Sequence, residues 1–220
     1  MSLTIISDVH GKHEKYIKIT QQHEYTLQLG DFGLQYDCLD GVDPARHKML
    51  PGNHDNYDTV YDIPHNLGEF GITTHGGVTF FWLRGAFSID WQQRVSHDHT
   101  HRTKSWWVEE QLTWDQMEEA VELYRKEKPE IVIAHTFPHT IAQMLGSESF
   151  LANWGYNPNT FTTNTQQCLE TMFEIHQPKL YVGGHMHRSK KIEHRGCLFR
   201  CLNELETFTI EEDFQMMYPR

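Results

Sequence analysis

The side chains best suited to chemistry in this sequence fall in five short clusters: Asp8 with His10, Asp31, Asn53 with His54, His135, and His185 with His187. Each follows a short apolar run, at residues 3–7, 26–29, 47–50, 131–134 and 180–182, that reads as a β-strand. In an α/β sheet the loops at the carboxyl ends of strands converge on one edge, where ligands bind. The clusters are therefore expected to share a single site. Asp oxygens, imidazole nitrogens and one Asn carbonyl, with no thiolate, suit Mn²⁺, Fe²⁺/Fe³⁺, Zn²⁺, Ni²⁺ or Co²⁺ better than Ca²⁺ or Mg²⁺. Seven such groups (Asp8, His10, Asp31, Asn53, His135, His185, His187) exceed what one ion with an open position uses. Two transition-metal ions are expected, with Mn²⁺ favoured. Ions about 3.5 to 4 Å apart can share a carboxylate and a hydroxide, hold phosphoryl oxygens and offset the charge of an in-line displacement. The chemistry indicated is phosphoester hydrolysis.

Composition points the same way, because 16 histidines outnumber the 15 glycines in 220 residues. Not every one is read as functional. His97, His99 and His101 alternate as in a strand or loop and are taken to face solvent, and His139 reads either as a neighbour of the metals or as an exposed or backbone-bonded group. Asp55 reads as the cap of a helix after Gly52, or else as an orienting partner of His54. A long polar insertion at residues 85–111 carries Arg94, Trp106 and Trp107. Loops of that length usually have a task. Arg94 could hold a phosphate and the tryptophans could stack on a base, the alternative being a packed lid. Lys190 and Lys191 read as a solvated turn.

The elements that must position these groups follow from periodicity. A helix is expected at residues 12–23, and an antiparallel pair at 71–74 and 79–83. Thr113 with Gln116 forms a capping box for a helix whose stripe is Trp114, Met117, Val121 and Tyr124, closed by Lys128-Pro129. Leu169, Met172, Phe173 and His176 mark a further helix, and short strands follow near Ile192 and at 198–202 and 208–210. Strands alternating with helices indicate a layered α/β fold whose sheet, or a second sheet packed on it, is partly antiparallel. With no repeat or linker, residues 1–220 are read as one domain. Cys38, Cys168, Cys197 and Cys201 include no C-x-x-C and are read as reduced, with Cys197 and Cys201 on one strand face.

A formal charge of −11 disfavours extended contacts with nucleic acid or anionic lipid. No apolar run approaches the roughly 18 residues of a membrane span, and residues 1–8 lack the basic start and apolar centre of a secretory signal. A cytoplasmic location is expected.

In order along the chain, Asp8-Val-His10, Gly30-Asp31, Gly52-Asn-His-Asp55, His135 and Gly184-His-Met-His187 resemble the five motifs of the calcineurin-like metallophosphoesterases. The resemblance spans residues 8–187. It implies two packed mixed β-sheets flanked by helices. It also implies one metal held by Asp8, His10, Asp31 and His187, and a second held by Asp31, Asn53, His135 and His185, with Asp31 bridging. His54 matches the family's histidine that is not a ligand, which acts as a general acid or donates to the phosphate. Protein phosphatases of the superfamily carry Gly-Asp-x-x-Asp-Arg-Gly, whereas this chain has Gly30-Asp-Phe-Gly-Leu-Gln-Tyr-Asp37. Leu34 and Gln35 depart from that pattern, and the phosphate-clamping Arg is lost. The sequence is closer to the compact phosphodiesterase and nucleotidase-like branch found in bacteria and phages, acting on a small phosphorylated, nucleotide-like substrate. The alternatives are a single-strand nuclease of the same superfamily, using Trp106 and Trp107, or a protein-binding scaffold that keeps the fold without catalysis.

Overall fold

The apolar runs that precede the chemical residues all become strands in the computed structural model, which describes residues 2–146 and 148–211. Met1, residue 147 and residues 212–220 of the expected 1–220 domain lie outside the described residues. In the first sheet β1 (Ser2–Ile6), β2 (Thr26–Gln28) and β3 (His47–Met49) run parallel, and β10 (Thr207–Glu211) joins β1 antiparallel, giving the order β10-β1-β2-β3. The second sheet has the order β4-β5-β6-β7-β9-β8. Its strands are β4 (Phe70–His75), β5 (Val78–Leu83), β6 (Ile131–Ala134), β7 (Leu180–Gly183), β8 (Lys190–His194) and β9 (Cys197–Cys201). Strands β5, β6, β7 and β9 are parallel, while β4 and β8 close the edges antiparallel.

The two sheets bury their inner faces on each other. Leu3, Ile5, Leu27 and Ile210 of the first pack with Val78, Phe80, Ile131, Ile133, Leu180 and Val182 of the second. Alternate residues of the second sheet, Phe81, Leu83, Val132, Ala134, Tyr181 and Phe199, point the other way. They meet α3 (Trp114–Glu127), α4 (His139–Leu145) and α6 (Asn164–Ile175). The outer face of the first sheet receives α1 (His13–Thr20) through Tyr16 against Ile6 and Met49. Strands β6 and β7 are buried along their whole length, which explains their unbroken apolar sequence. All four cysteines are unpaired, and Cys197 and Cys201 share the buried face of β9.

Several expectations need correcting. Residues 85–111 are not one long loop: they hold α2 (Trp91–His101) and a 3₁₀ turn at Val108–Glu110. His97 and His101 therefore lie one helical turn apart and stack at 4.1 Å, still facing solvent, rather than alternating as in a strand. No residue of α2 is buried, so it lacks the apolar stripe by which a helix is recognised. The capping box of Thr113 and Gln116 is present, yet Trp114 of the expected stripe is 65% exposed. Trp107 is buried beside Val60 and Tyr57 and cannot offer its ring to a base. The short helices α4 and α5 (Glu148–Asn153) lie where no helix was expected.

Three histidines away from the clusters are buried around β2 and β3. His75 Nε2 donates to the carbonyls of Thr26 (3.2 Å) and Arg46 (3.0 Å), His65 Nε2 donates to that of Val42, and His47 Nδ1 meets Thr26 Oγ1. Burial holds all three below the ordinary imidazole pKa. Unfolded imidazoles take up protons near about pH 6.5 and these folded ones only at lower pH, so the stability they supply is complete above that value and is lost as pH falls below it. His75→Gln is expected to flatten the fall in thermal midpoint between pH 7 and pH 5. A wild-type slope in that variant would refute the assignment.

Candidate metal centre

All seven expected ligands come together at the carboxyl ends of β1, β2, β3, β6 and β7. Ligand atoms of Asp8, His10, Asp31 and His187 lie within 4.8 Å of one another, as do those of Asp31, His135 and His185. Asn53 adds its Oδ1 at 3.1 Å from His135 Nε2. Asp31 belongs to both groups.

Local backbone geometry turns these side chains inward. His10 (φ 46°), Asp31 (φ 56°), His185 (φ 62°) and His187 (φ 49°) all occupy the left-handed region, which costs non-glycine residues about 1–3 kcal/mol each. Such strain persists only where surrounding contacts impose it. Two glycines admit the close approach: a Cβ on Gly52 would strike the Asp31 carboxylate, and one on Gly184 would strike that of Asp8. Asp55, 0% exposed, accepts from the backbone N–H groups of Asp31 (2.9 Å), Phe32 (2.9 Å), Gly33 (3.1 Å) and Gly52 (2.6 Å). It neither caps a helix nor bonds the ring of His54. It ties the loop after β2 to the loop after β3. Burial and the charge of Asp31 push its carboxyl up to about 7 in spite of these donors.

The donor set is short of cations. Asp31 Oδ1 accepts from His54 N at 2.8 Å and lies 3.2 Å from His135 Nε2, while Oδ2 is buried with no hydrogen-bond partner among the described residues. His10 Nε2 stands 3.6 Å from this oxygen, beyond hydrogen-bond reach. His10 Nε2 and His187 Nε2 face each other at 2.9 Å, a spacing that two lone pairs tolerate only around a proton or a metal. Asp8 accepts from Ser7 Oγ and His185 N, and its Oδ1 lies 3.5 Å from His187 Nε2. His135 Nδ1 donates to the Leu29 carbonyl at 2.7 Å, leaving Nε2 to face Asp31 and Asn53. This second hydrogen bond fixes the tautomer, as in metal-binding histidines generally.

The pKa shifts record the same crowding. Burial opposes ionisation of Asp31, but the charges of His135, His54 and His10 outweigh it and hold the carboxyl well below its usual value. Asp8 is likewise lowered against burial, chiefly by His187 and His135. Burial would lower His135, yet Asp31 and Asp8 raise it to about 9. Desolvation, followed by the charge of neighbouring His135, lowers part-buried His185 to about 3. Burial, aided by Arg94 and opposed by Asp31, lowers His54. The ring of His54 is part-exposed, 5.3 Å from that of His10, and has no hydrogen-bond partner among the described residues.

A family description for calcineurin-like phosphoesterases matches residues 1–189. The chain belongs to this family. The calcineurin-like fold is also that of a dimetal phosphatase from Danio rerio, at 13% identity and TM-score 0.51, over 93% of this chain and 88% of the other. A phosphopantetheinyl hydrolase from Mycobacterium tuberculosis aligns at 15% identity and TM-score 0.47 over 99% and 93%. A putative 5'-nucleotidase from Staphylococcus aureus aligns at 12% identity and TM-score 0.49 over 96% of this chain, which spans 50% of the nucleotidase chain. No curated protein matches the sequence significantly.

As a calcineurin-like phosphoesterase the chain lacks the arginine of the protein-phosphatase motif, with Leu34 exposed and Gln35 beside it. Another arginine approaches from α2. Arg94 Nη1 donates to the backbone carbonyl of Asn53 (3.1 Å) and to Ser88 Oγ (2.7 Å). Trp106 is part-buried with its ring 5.6 Å from that of Trp91. His139 opens α4, and its Nδ1 is buried without a partner among the described residues. Sequence reasoning missed Ser88 and Glu110. Asn53 Nδ2 donates to Ser88 Oγ at 3.0 Å, and Ser88 donates through N and Oγ to the two carboxylate oxygens of Glu110, each at 2.7 Å. Burial pushes the Glu110 carboxyl up to about 7 against the pull of Ser88 and Arg94. Glu109-Glu110 reads as a surface pair, and no periodicity marks the second as 2% exposed.

Among the described residues no helix is long and apolar enough to cross a membrane.

Proposed function

We propose that this phosphoesterase hydrolyses a phosphomono- or phosphodiester bond of a small, nucleotide-like substrate using two transition-metal ions, Mn²⁺ first among them. The observation that carries the reading is the buried, unpartnered Oδ2 of Asp31, on a carboxylate common to both ligand groups. A buried carboxylate oxygen without a donor is costly unless a cation meets it. Asp8, His10, Asp31 and His187 would hold one ion, and Asp31, Asn53, His135 and His185 the other. When bound, the ions supply a nucleophile at neutral pH and offset charge on the phosphoryl group.

The remaining work falls to the protein. Asp31 keeps the two ligand groups adjacent. His54, fixed through its backbone N–H to Asp31, presents a ring N–H to the leaving oxygen or to a phosphate oxygen. Asn53 and Arg94 border the phosphate position, and Trp106 with Trp91 offers an aromatic rim to a base. Residues 85–111 are thus the specificity element of a single 1–220 domain. The net charge of −11 argues against an extended nucleic acid as substrate.

The test is turnover of p-nitrophenyl phosphate, bis(p-nitrophenyl) phosphate and a nucleotide panel by Mn²⁺-loaded protein. His54→Ala is expected to lower kcat by about 10²- to 10⁴-fold with bound metal unchanged. Absence of turnover on every substrate, or full activity of His54→Ala, would overturn the reading.

A further inference from the structure

The carboxamide of Asn53 can turn either its oxygen or its nitrogen toward the metal centre, and only the oxygen can ligate. We propose that Ser88 and Glu110, both from residues 85–111, are positioning residues that force the oxygen inward.

The orientation follows from counting protons. A hydroxyl has one hydrogen and two lone pairs. Ser88 Oγ has three neighbours: Glu110 Oε2 at 2.7 Å, Arg94 Nη1 at 2.7 Å and Asn53 Nδ2 at 3.0 Å. A guanidinium only donates, so Arg94 takes one lone pair. An ionised carboxylate only accepts, so Glu110 takes the hydrogen. One lone pair is left, and the NH₂ of Asn53 can meet it where the carbonyl cannot. The amide oxygen must then face the opposite way, where it lies 3.1 Å from His135 Nε2.

Every member of the relay is itself held. Ser88 is 1% exposed and Glu110 2%. Glu110 Oε1 accepts from Ser88 N at 2.7 Å, Glu110 Oε2 lies 4.0 Å from Arg94 Nη1, and Arg94 also donates to the backbone carbonyl of Asn53. With Ser88 removed, the NH₂ of Asn53 loses its acceptor, and only the contact of its oxygen with His135 Nε2 is left to oppose turning of the amide. The consequence for metal rests on the two-ion reading above: affinity at the Asn53 side falls while the side of Asp8, His10 and His187 is spared.

Two measurements at pH 8 test this. In metal-free, ¹⁵N-labelled protein, the side-chain NH₂ signal of Asn53, identified by its loss in Asn53→Asp, is expected to exchange slowly with water. Exchange should quicken at least tenfold in Ser88→Ala and in Glu110→Gln and return to the wild-type rate in Ser88→Thr. In Co²⁺ titrations, wild type should take up two ions, and Ser88→Ala should weaken one of them by about 10- to 100-fold, the usual effect of losing a partner behind a ligand. Exchange unchanged in both Ser88→Ala and Glu110→Gln, or unrestored in Ser88→Thr, overturns the proposal, as does equal weakening of both ions. Should Ser88→Ala fail to fold, Glu110→Gln carries both measurements. Wild-type protein that binds no metal refutes the phosphoesterase reading instead, and the exchange rates still decide the orientation of Asn53.

Discussion

Asp31→Asn is expected to lower turnover by about a thousandfold or more and to reduce bound metal from two ions to one or none. A carboxylate placed between two cations supports both, and a neutral amide in its place offers a single oxygen and no charge. Losing several kcal/mol of support for transition-state charge corresponds to that rate, since each tenfold is about 1.4 kcal/mol. The substitution is nearly isosteric, and Asp31 Oδ1 already accepts the His54 N–H, a bond that an amide oxygen can keep. Steady-state kinetics with elemental analysis of the same preparation checks both effects. A variant that retains two ions and near wild-type turnover would refute the bridging role.

Asp55→Ala is expected to be the most destabilising single change at the site, costing about 4 kcal/mol or more. The carboxylate serves four backbone N–H groups in two loops, and each buried donor left without an acceptor costs about 1–3 kcal/mol. At roughly 2–4 °C per kcal/mol for a chain of this length, the thermal midpoint should fall by about 10 °C. Asp55→Asn should fare little better, because its NH₂ would confront donors. Circular dichroism melts of metal-free protein at pH 8 measure this without involving the ions. A loss under about 1 kcal/mol would show that water replaces the carboxylate freely.

Much of the candidate site was legible because its residues obey a local rule: each cluster of proposed ligands stands shortly after a buried strand. The strands were legible for a similar reason, since β6 and β7 are buried on both faces and read as unbroken apolar runs. What failed was whatever depends on partners distant in sequence. Asp55 resembles a helix cap because capping and loop-tying use the same carboxylate oxygens, but the N–H groups it serves at Asp31, Phe32 and Gly33 belong to a segment 22–24 residues earlier. Ser88 and Glu110 are two polar residues 22 apart whose meaning arises only when Glu110 meets Ser88 and Ser88 meets Asn53. Helix α2 escaped notice because all its faces are polar or exposed, and Trp107 stayed between a stacking and a packed reading because aromatic neighbours in a polar stretch do not reveal which ring turns inward.

The proposed ligands are divided between the two layers of the sandwich: Asp8, His10, Asp31 and Asn53 follow strands of one sheet, and His135, His185 and His187 follow strands of the other. Ions seated among them would rivet the layers at one end, so that catalysis and mechanical cohesion draw on the same bonds. Ion at a hundred times its dissociation constant adds about 2.7 kcal/mol against unfolding. Protein short of metal would lose that increment, leaving it easier for a protease to cut and idle for the same reason.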